Sequence, residues 1–191
     1  RRPPASRARD DALPPTPILA WFAGLALDAP DHWAQTIVLE TTHAIAPERL
    51  RGALRELAAQ HAALRQRVTL DAGRASVVFE PDDDRSPDGR DMIDTLDMHD
   101  GRDRFPLDVR TVEHDDEARD AIASLAARLD LRRGPLARAA LLARDGAPTL
   151  LALAVHHVAV DAFSWSVLLH QLAASLAGDA APPAAAASLA D

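Results

Sequence analysis

Leu151-Ala-Leu-Ala-Val155-His156-His157-Val-Ala-Val-Asp161 is a nearly continuous apolar run that ends in two histidines and, four positions on, a carboxylate. The apolar part reads as a buried central strand, and a helix is expected to start near Phe163. Titratable groups at the end of a buried strand are where sheet enzymes tend to place reactive groups. Successive strand residues point to opposite faces, so only one of His156 and His157 can look into a given cleft. The other must pack or hydrogen-bond inward. Asp161 can return to bond the adjacent backbone or pair with an arginine, and either would hold the loop. Histidine suits acid/base work because it gives and takes a proton near working pH. Even so, a histidine pair at a strand end is more often structural than catalytic. Adjacent histidines on a strand diverge, and no His-x-x-x-His helical pair supports them, so no metal site is expected. Ser164 lacks a Gly-x-Ser-x-Gly elbow and reads as a polar first-turn helix residue.

Outward from this stretch, Leu136 to Ala143 and Thr149 to Val158 read as two strands around Arg144-Asp-Gly-Ala147, and Phe163 to Leu176 as a helix. Upstream, Glu113 to Leu131 carries Ile122, Leu125, Ala126 and Leu129 on one helical face and stops at Gly134-Pro135. The Asp- and Arg-rich residues 81–104 read as a long surface loop, with a short strand near Met92 to Leu96. Arg67-Val-Thr-Leu70 and Ala75-Ser-Val-Val-Phe79 flank Asp71-Ala-Gly73-Arg as a β-hairpin. Pro47 to Leu64 is the clearest amphipathic helix, entered through a first-turn proline. Residues 35–41 are β-branched and apolar and read as a strand, and Ile18 to Leu27 as a short apolar helix. Residues 1–12 are a charged lead-in or linker. A lobe is expected over 13–177, and 178–191 is an Ala/Pro-rich linker or the start of a further lobe. The order of elements predicts an α+β fold, a mostly antiparallel sheet packed with helices.

The bulk properties remove several classes. The formal net charge is −8 and no basic block stands out, so nucleic acid has no electrostatic footprint. With no cysteine, disulfides, thiolate zinc sites and cysteine nucleophiles are excluded. No apolar run approaches the ~20 residues of a membrane span. The N-terminal arginines have no apolar stretch behind them, so a cytoplasmic location is the expectation.

His156-His157-Val-Ala-Val-Asp161-Ala-Phe-Ser164-Trp165 resembles the His-His-x-x-x-Asp-Gly-x-Ser-Trp motif of condensation and epimerization domains of nonribosomal peptide synthetases. Three more segments resemble that family in the right order. Leu13-Pro-Pro-Thr16-Pro17-Ile18-Leu-Ala-Trp21-Phe22 is similar to its opening Leu-Thr-Pro-Ile-Gln-x-Trp-Phe. His61-Ala-Ala-Leu64-Arg65-Gln-Arg67-Val68 is similar to Arg-His-x-x-Leu-Arg-x-x-Phe, and Gly134-Pro135-Leu136-Ala-Arg138 to Gly-Pro-Leu-x-Arg. One His-His-x-x-x-Asp match also occurs in other acyltransferases; four ordered matches argue against chance.

The resemblance implies a chloramphenicol acetyltransferase-like lobe, one of two that form a V around a tunnel. Phosphopantetheine arms of peptidyl carrier proteins would enter that tunnel, with no cofactor bound directly by this lobe. It implies that His157 faces the tunnel as the catalytic base. His156, Asp161, Arg65, Ser164 and Trp165 would support the site, with Asp161 paired to Arg65. The family is about twice this length, so the C-terminal lobe would be a partner outside this sequence. Three positions depart from the pattern. Ala162 stands for the usual Gly, which would strain the turn if a positive φ were needed. Gln60 stands for Arg and Leu19 for Gln.

Thr16-Pro17-Ile18 with Trp21-Phe22, His32-Trp33-Ala-Gln35 and Ser164-Trp165 look more like epimerization domains than peptide-bond-forming ones. An epimerization domain would invert the α-carbon of a carrier-bound aminoacyl or peptidyl thioester by proton removal and return. A condensation domain would join two carrier-bound substrates. An inactive carrier-docking lobe is the non-enzymatic alternative, because half a cleft cannot preorganise both reactants. A free-standing acyltransferase using coenzyme A is a weaker one.

Overall fold

The computed structural model describes residues 15–41, 43–80, 103–144 and 149–178. The strand that decides the fold is β6, Thr149–His156, the last in chain order of the six strands (β1–β6) among the described residues. It lies inside a four-stranded sheet of order β1-β6-β5-β4, between β1 (Ala34–Thr41) and β5 (Ala137–Ala143). Both neighbours run antiparallel to it, with Gln35 opposite Val155 and Ala137 opposite Val155 on the other side. The outer strand β4 (Leu107–Thr111) pairs parallel with β5.

The apolar run of β6 is explained by its two faces. Leu151, Leu153 and Val155 join α2 (Pro47–Gln60) and α4 (Ala162–Ala177) in one core that holds Leu54, Trp165 and Leu168. Ala152 and Ala154, together with Ala140 and Leu142 of β5, face α3 (Asp115–Ala126) and its Ala118, Ala121 and Leu125. At β6 the sheet is therefore covered on both sides, and this strand has no solvated face on which to carry polar residues, whereas the outer strands β1 and β4 leave Val38 and Val109 exposed. Small side chains on the α3 side let a helix with its own alanines approach closely.

A second unit stands beside this sheet. Strands β2 (Gln66–Asp71) and β3 (Arg74–Phe79) form the hairpin read from sequence, turning at Ala72 and Gly73, both at positive φ. They pack against α1 (Pro17–Gly24) through Leu19, Phe22, Val68 and Val77, with Leu131 and Leu136 closing the cluster.

Several boundaries differ from the sequence expectation. Helix α1 ends at Gly24 rather than Leu27, and β6 ends at His156 rather than Val158. Helix α2 stops at Gln60, because His61 is extended (φ −111°, ψ 98°), and Ala62–Arg65 makes one 3₁₀ turn into β2. Helix α3 is shorter than 113–131. Asp130 takes up the backbone N–H groups of Arg132 and Arg133, and Asp31 takes that of Leu131, so this stretch turns instead of continuing the helix. Strand β4 has no counterpart in the sequence expectation. The strand expected near Met92 to Leu96, most of the 81–104 loop, the 1–12 lead-in and the tail from 179 lie outside the described residues, as does the 145–148 turn.

Candidate functional site

The end of β6 sets the two histidines at different depths. The N–H of His156 bonds the carbonyl of Leu136 and the N–H of His157 bonds that of Trp33, so the chain stays pinned on both flanks where the ladder stops. His156 turns inward and is fully buried. Its Nε2 lies 2.8 Å from the Pro30 carbonyl, a contact that only a protonated nitrogen can make. Its Nδ1 accepts the N–H of Val158 at 3.3 Å. Burial holds its pKa below the ordinary value, against the Pro30 carbonyl and the Asp31 carboxylate, which push the other way. His156 is thus a neutral structural ring with Phe22 edge-on at 5.8 Å.

His157 is only partly buried and lies in a more polar setting. Trp33 stacks on it at 4.6 Å. Its Nδ1 is 3.0 Å from the carbonyl of Val160, and its Nε2 is 3.0 Å from Nε2 of Gln35. The Trp165 indole N–H, in turn, donates to Oε1 of Gln35 at 2.7 Å. These partners come from three places in the chain. Register brings Gln35 beside Val155, on the β1 face shared with Ile37 and Leu39 that packs toward α4, and there it meets Trp165.

Asp161 holds the loop by bonding the adjacent backbone, not by the pairing with Arg65 that the resemblance implied. It is the N-cap of α4, extended at φ −126°, ψ −178°, and its Oδ1 accepts both the N–H and the hydroxyl of Ser164 at 2.7 Å. Those two bonds hold its pKa below the usual carboxylate value. A cap of this kind contributes about 1 kcal/mol. The expected Asp161–Arg65 pair is not formed among the described residues. Arg65 instead donates Nη1 to the Glu80 carbonyl at 2.8 Å, and its Nε is buried without a hydrogen-bond partner there. The Glu80 carboxylate is already taken by Arg67 at 2.8 Å and by Arg104. Arg65 therefore braces the hairpin, while the loop after His157 is held by the Asp161 cap and by Gln66, whose Nε2 donates to the Val158 carbonyl at 3.2 Å. Ala162 opens α4 in ordinary helical geometry, so the missing glycine imposes no strain.

His156 makes the site a source of acid sensitivity. An unfolded histidine takes up a proton near pH ~6.5. The folded one resists until lower pH because its pKa is depressed. The contribution is full above ~6.5 and is lost as pH falls below it, at up to about 1.4 kcal/mol per pH unit. Urea unfolding from pH 7.5 to 5 should show this slope in the parent and a smaller one in His156→Gln; equal slopes would reject the assignment.

Among the described residues no helix is long and apolar enough to cross a membrane, and no cluster of three metal-ligating side chains occurs.

A model of the Condensation domain matches residues 10–179. Chondramide synthase cmdD of Chondromyces crocatus is 30% identical over 164 residues, 85% of this chain and 4% of that protein. A linear gramicidin synthase of Brevibacillus parabrevis is 32% identical over 162 residues, 84% of this chain and 3% of that protein. Among solved structures, the epimerization domain from the third module of a tyrocidine synthetase superposes with TM-score 0.67 at 24% identity, over 85% of this chain and 34% of that one. The first condensation domain of the calcium-dependent antibiotic synthetase superposes with TM-score 0.62 at 26% identity, over 87% of this chain and 38% of that one. The chain spans little more than a third of such domains and a few per cent of the synthases. With its four ordered motifs, its sheet and its histidine-bearing strand end, the chain belongs to the condensation-domain family of nonribosomal peptide synthetases.

Proposed function

We propose that the chain is the histidine-bearing N-terminal lobe of an epimerization domain. Its substrate is an aminoacyl or peptidyl thioester on the phosphopantetheine arm of a peptidyl carrier protein. In this reading Nε2 of His157 takes the α-proton. The Cα–H bond breaks, its electron pair delocalises into the thioester carbonyl, and a proton is returned to the opposite face. The returning group belongs to a C-terminal lobe that closes the other wall of the tunnel. The observation that carries the reading is the neighbourhood of His157: the two segments that look epimerase-like, His32-Trp33-Ala-Gln35 and Ser164-Trp165, supply the ring stacked on it, its bonding partner and that partner's anchor.

A condensation domain, in which His157 positions or deprotonates an acceptor amine, is the second reading, favoured by the family match over residues 10–179. An inactive docking lobe is less supported now that Ala162 is unstrained. The test is an assay of the two-lobed domain with a carrier-bound thioester in deuterated water. Deuterium at the α-carbon supports epimerization. Amide formed with a second loaded carrier and no wash-in overturns it in favour of condensation. Neither product points to docking alone.

A further inference from the structure

The two adjacent histidines are held as opposite tautomers, and the bonds that decide this can be followed atom by atom. Indole is a donor only, so the contact between Trp165 Nε1 and Gln35 fixes the amide with Oε1 toward Trp165. The Gln35 NH₂ is then the group that faces His157 Nε2 at 3.0 Å, and an N–H can bond there only to a lone pair. The ring proton must sit on Nδ1, where the Val160 carbonyl accepts it at 3.0 Å. His156 is the reverse, with its proton on Nε2 toward the Pro30 carbonyl.

We propose that Gln35, locked by the Trp165 indole, is a positioning residue that keeps His157 in the Nδ1–H tautomer with its Nε2 lone pair as the proton-accepting site. A carbonyl on the Nδ1 side alone sets a preference; the glutamine removes the alternative. A proton on Nε2 would meet the NH₂ donor to donor, so the amide cannot remain in place once Nε2 is protonated. Substrate must therefore replace the Gln35 bond in order to be deprotonated, which makes the resting site a closed one that exchanges one N–H donor for another hydrogen. In its catalytic consequence the proposal rests on the reading of His157 as a base; the tautomer itself does not.

The test is long-range ¹H–¹⁵N correlation NMR of the imidazoles of this chain, read without turnover. The parent should show Nδ1 protonated and Nε2 bare for His157, with the opposite pattern for His156. Gln35→Glu puts an oxygen acceptor opposite Nε2 and should draw a proton onto it. Trp165→Phe frees the amide to turn and should give a mixture of tautomers. His156 should keep its pattern in every variant and so reports that the fold is intact. A protonated Nε2 on His157 in the parent overturns the proposal, as does an unchanged His157 in Gln35→Glu. Loss of the His156 pattern in one variant leaves the other to decide: a single unchanged tautomer in a folded Trp165→Phe would reject the lock. In a turnover-competent two-lobed form, Gln35→Glu should lower kcat on the order of a hundredfold with KM little changed. A failure of His157 to act as a base would abolish that last effect and leave the tautomer result standing, so the two failures are distinguishable.

Discussion

His157→Ala in a two-lobed form of the domain is expected to lower turnover by about 10²–10⁴-fold, the range for removing a positioned acid/base group. Its cost in stability should stay near 1 kcal/mol, the scale of a single net hydrogen bond. The asymmetry follows from placement. His157 is only partly buried, its bonds go to a side-chain amide and a loop carbonyl, and removing the ring opens the site without breaching either face of the sheet. His156→Ala should do the reverse: it empties a fully buried position and strands the Pro30 carbonyl, so its damage appears in unfolding. Measuring α-carbon deuterium wash-in together with urea unfolding separates the two. If His157→Ala retains turnover within a few-fold of the parent, His157 is a packing residue and the proposed chemistry fails with it.

How far the sequence reaches depends on how local each signal is. Leu151 to Val155 announces a strand buried on both faces because every second residue has its own apolar layer to meet, α2 and α4 on one side and α3 on the other. The divergence of His156 and His157 follows from strand geometry alone, and the two rings do part, one fully buried and one only partly buried. Strand β4 was not legible. Leu107-Asp-Val-Arg-Thr111 offers two apolar residues, and its partner β5 is parallel and reached only across α3. Asp161 was legible in principle. An aspartate just before a helix start, with a serine three residues on, is a capping signature, and it wins over a distant arginine because the cap is local and needs no loop to close. The role of Gln35 could not be read locally, since it depends on a strand register that spans 122 residues.

Phe22→Ala should be the most damaging single truncation around the site, costing about 3–5 kcal/mol through lost burial and the cavity left behind. Phe22 is 1% exposed, while its neighbour Trp21 is 53% exposed and should tolerate alanine at about 1 kcal/mol or less. The Phe22 ring lies flat on Trp33 at 4.6 Å and 8°, meets His156 edge-on at 79°, and packs with Leu19, Val68 and Leu136. Those contacts tie α1, the β2–β3 hairpin and the strand end into one cluster, so no single element can move in to fill the space. Urea unfolding should give a lower midpoint at an unchanged slope, and Phe22→Leu, which keeps most of the volume, should lose less than half as much. An alanine variant within 1 kcal/mol of the parent would mean that the cluster collapses freely and Phe22 is no anchor. The consequence for chemistry runs through Trp33, which stacks on both Phe22 and His157. With one partner gone the indole can tilt, and the ring it steadies loses part of its wall. Turnover in folded Phe22→Ala should therefore fall beyond what the unfolded fraction explains, which would make the opening helix a support of the strand end rather than a separate element beside it.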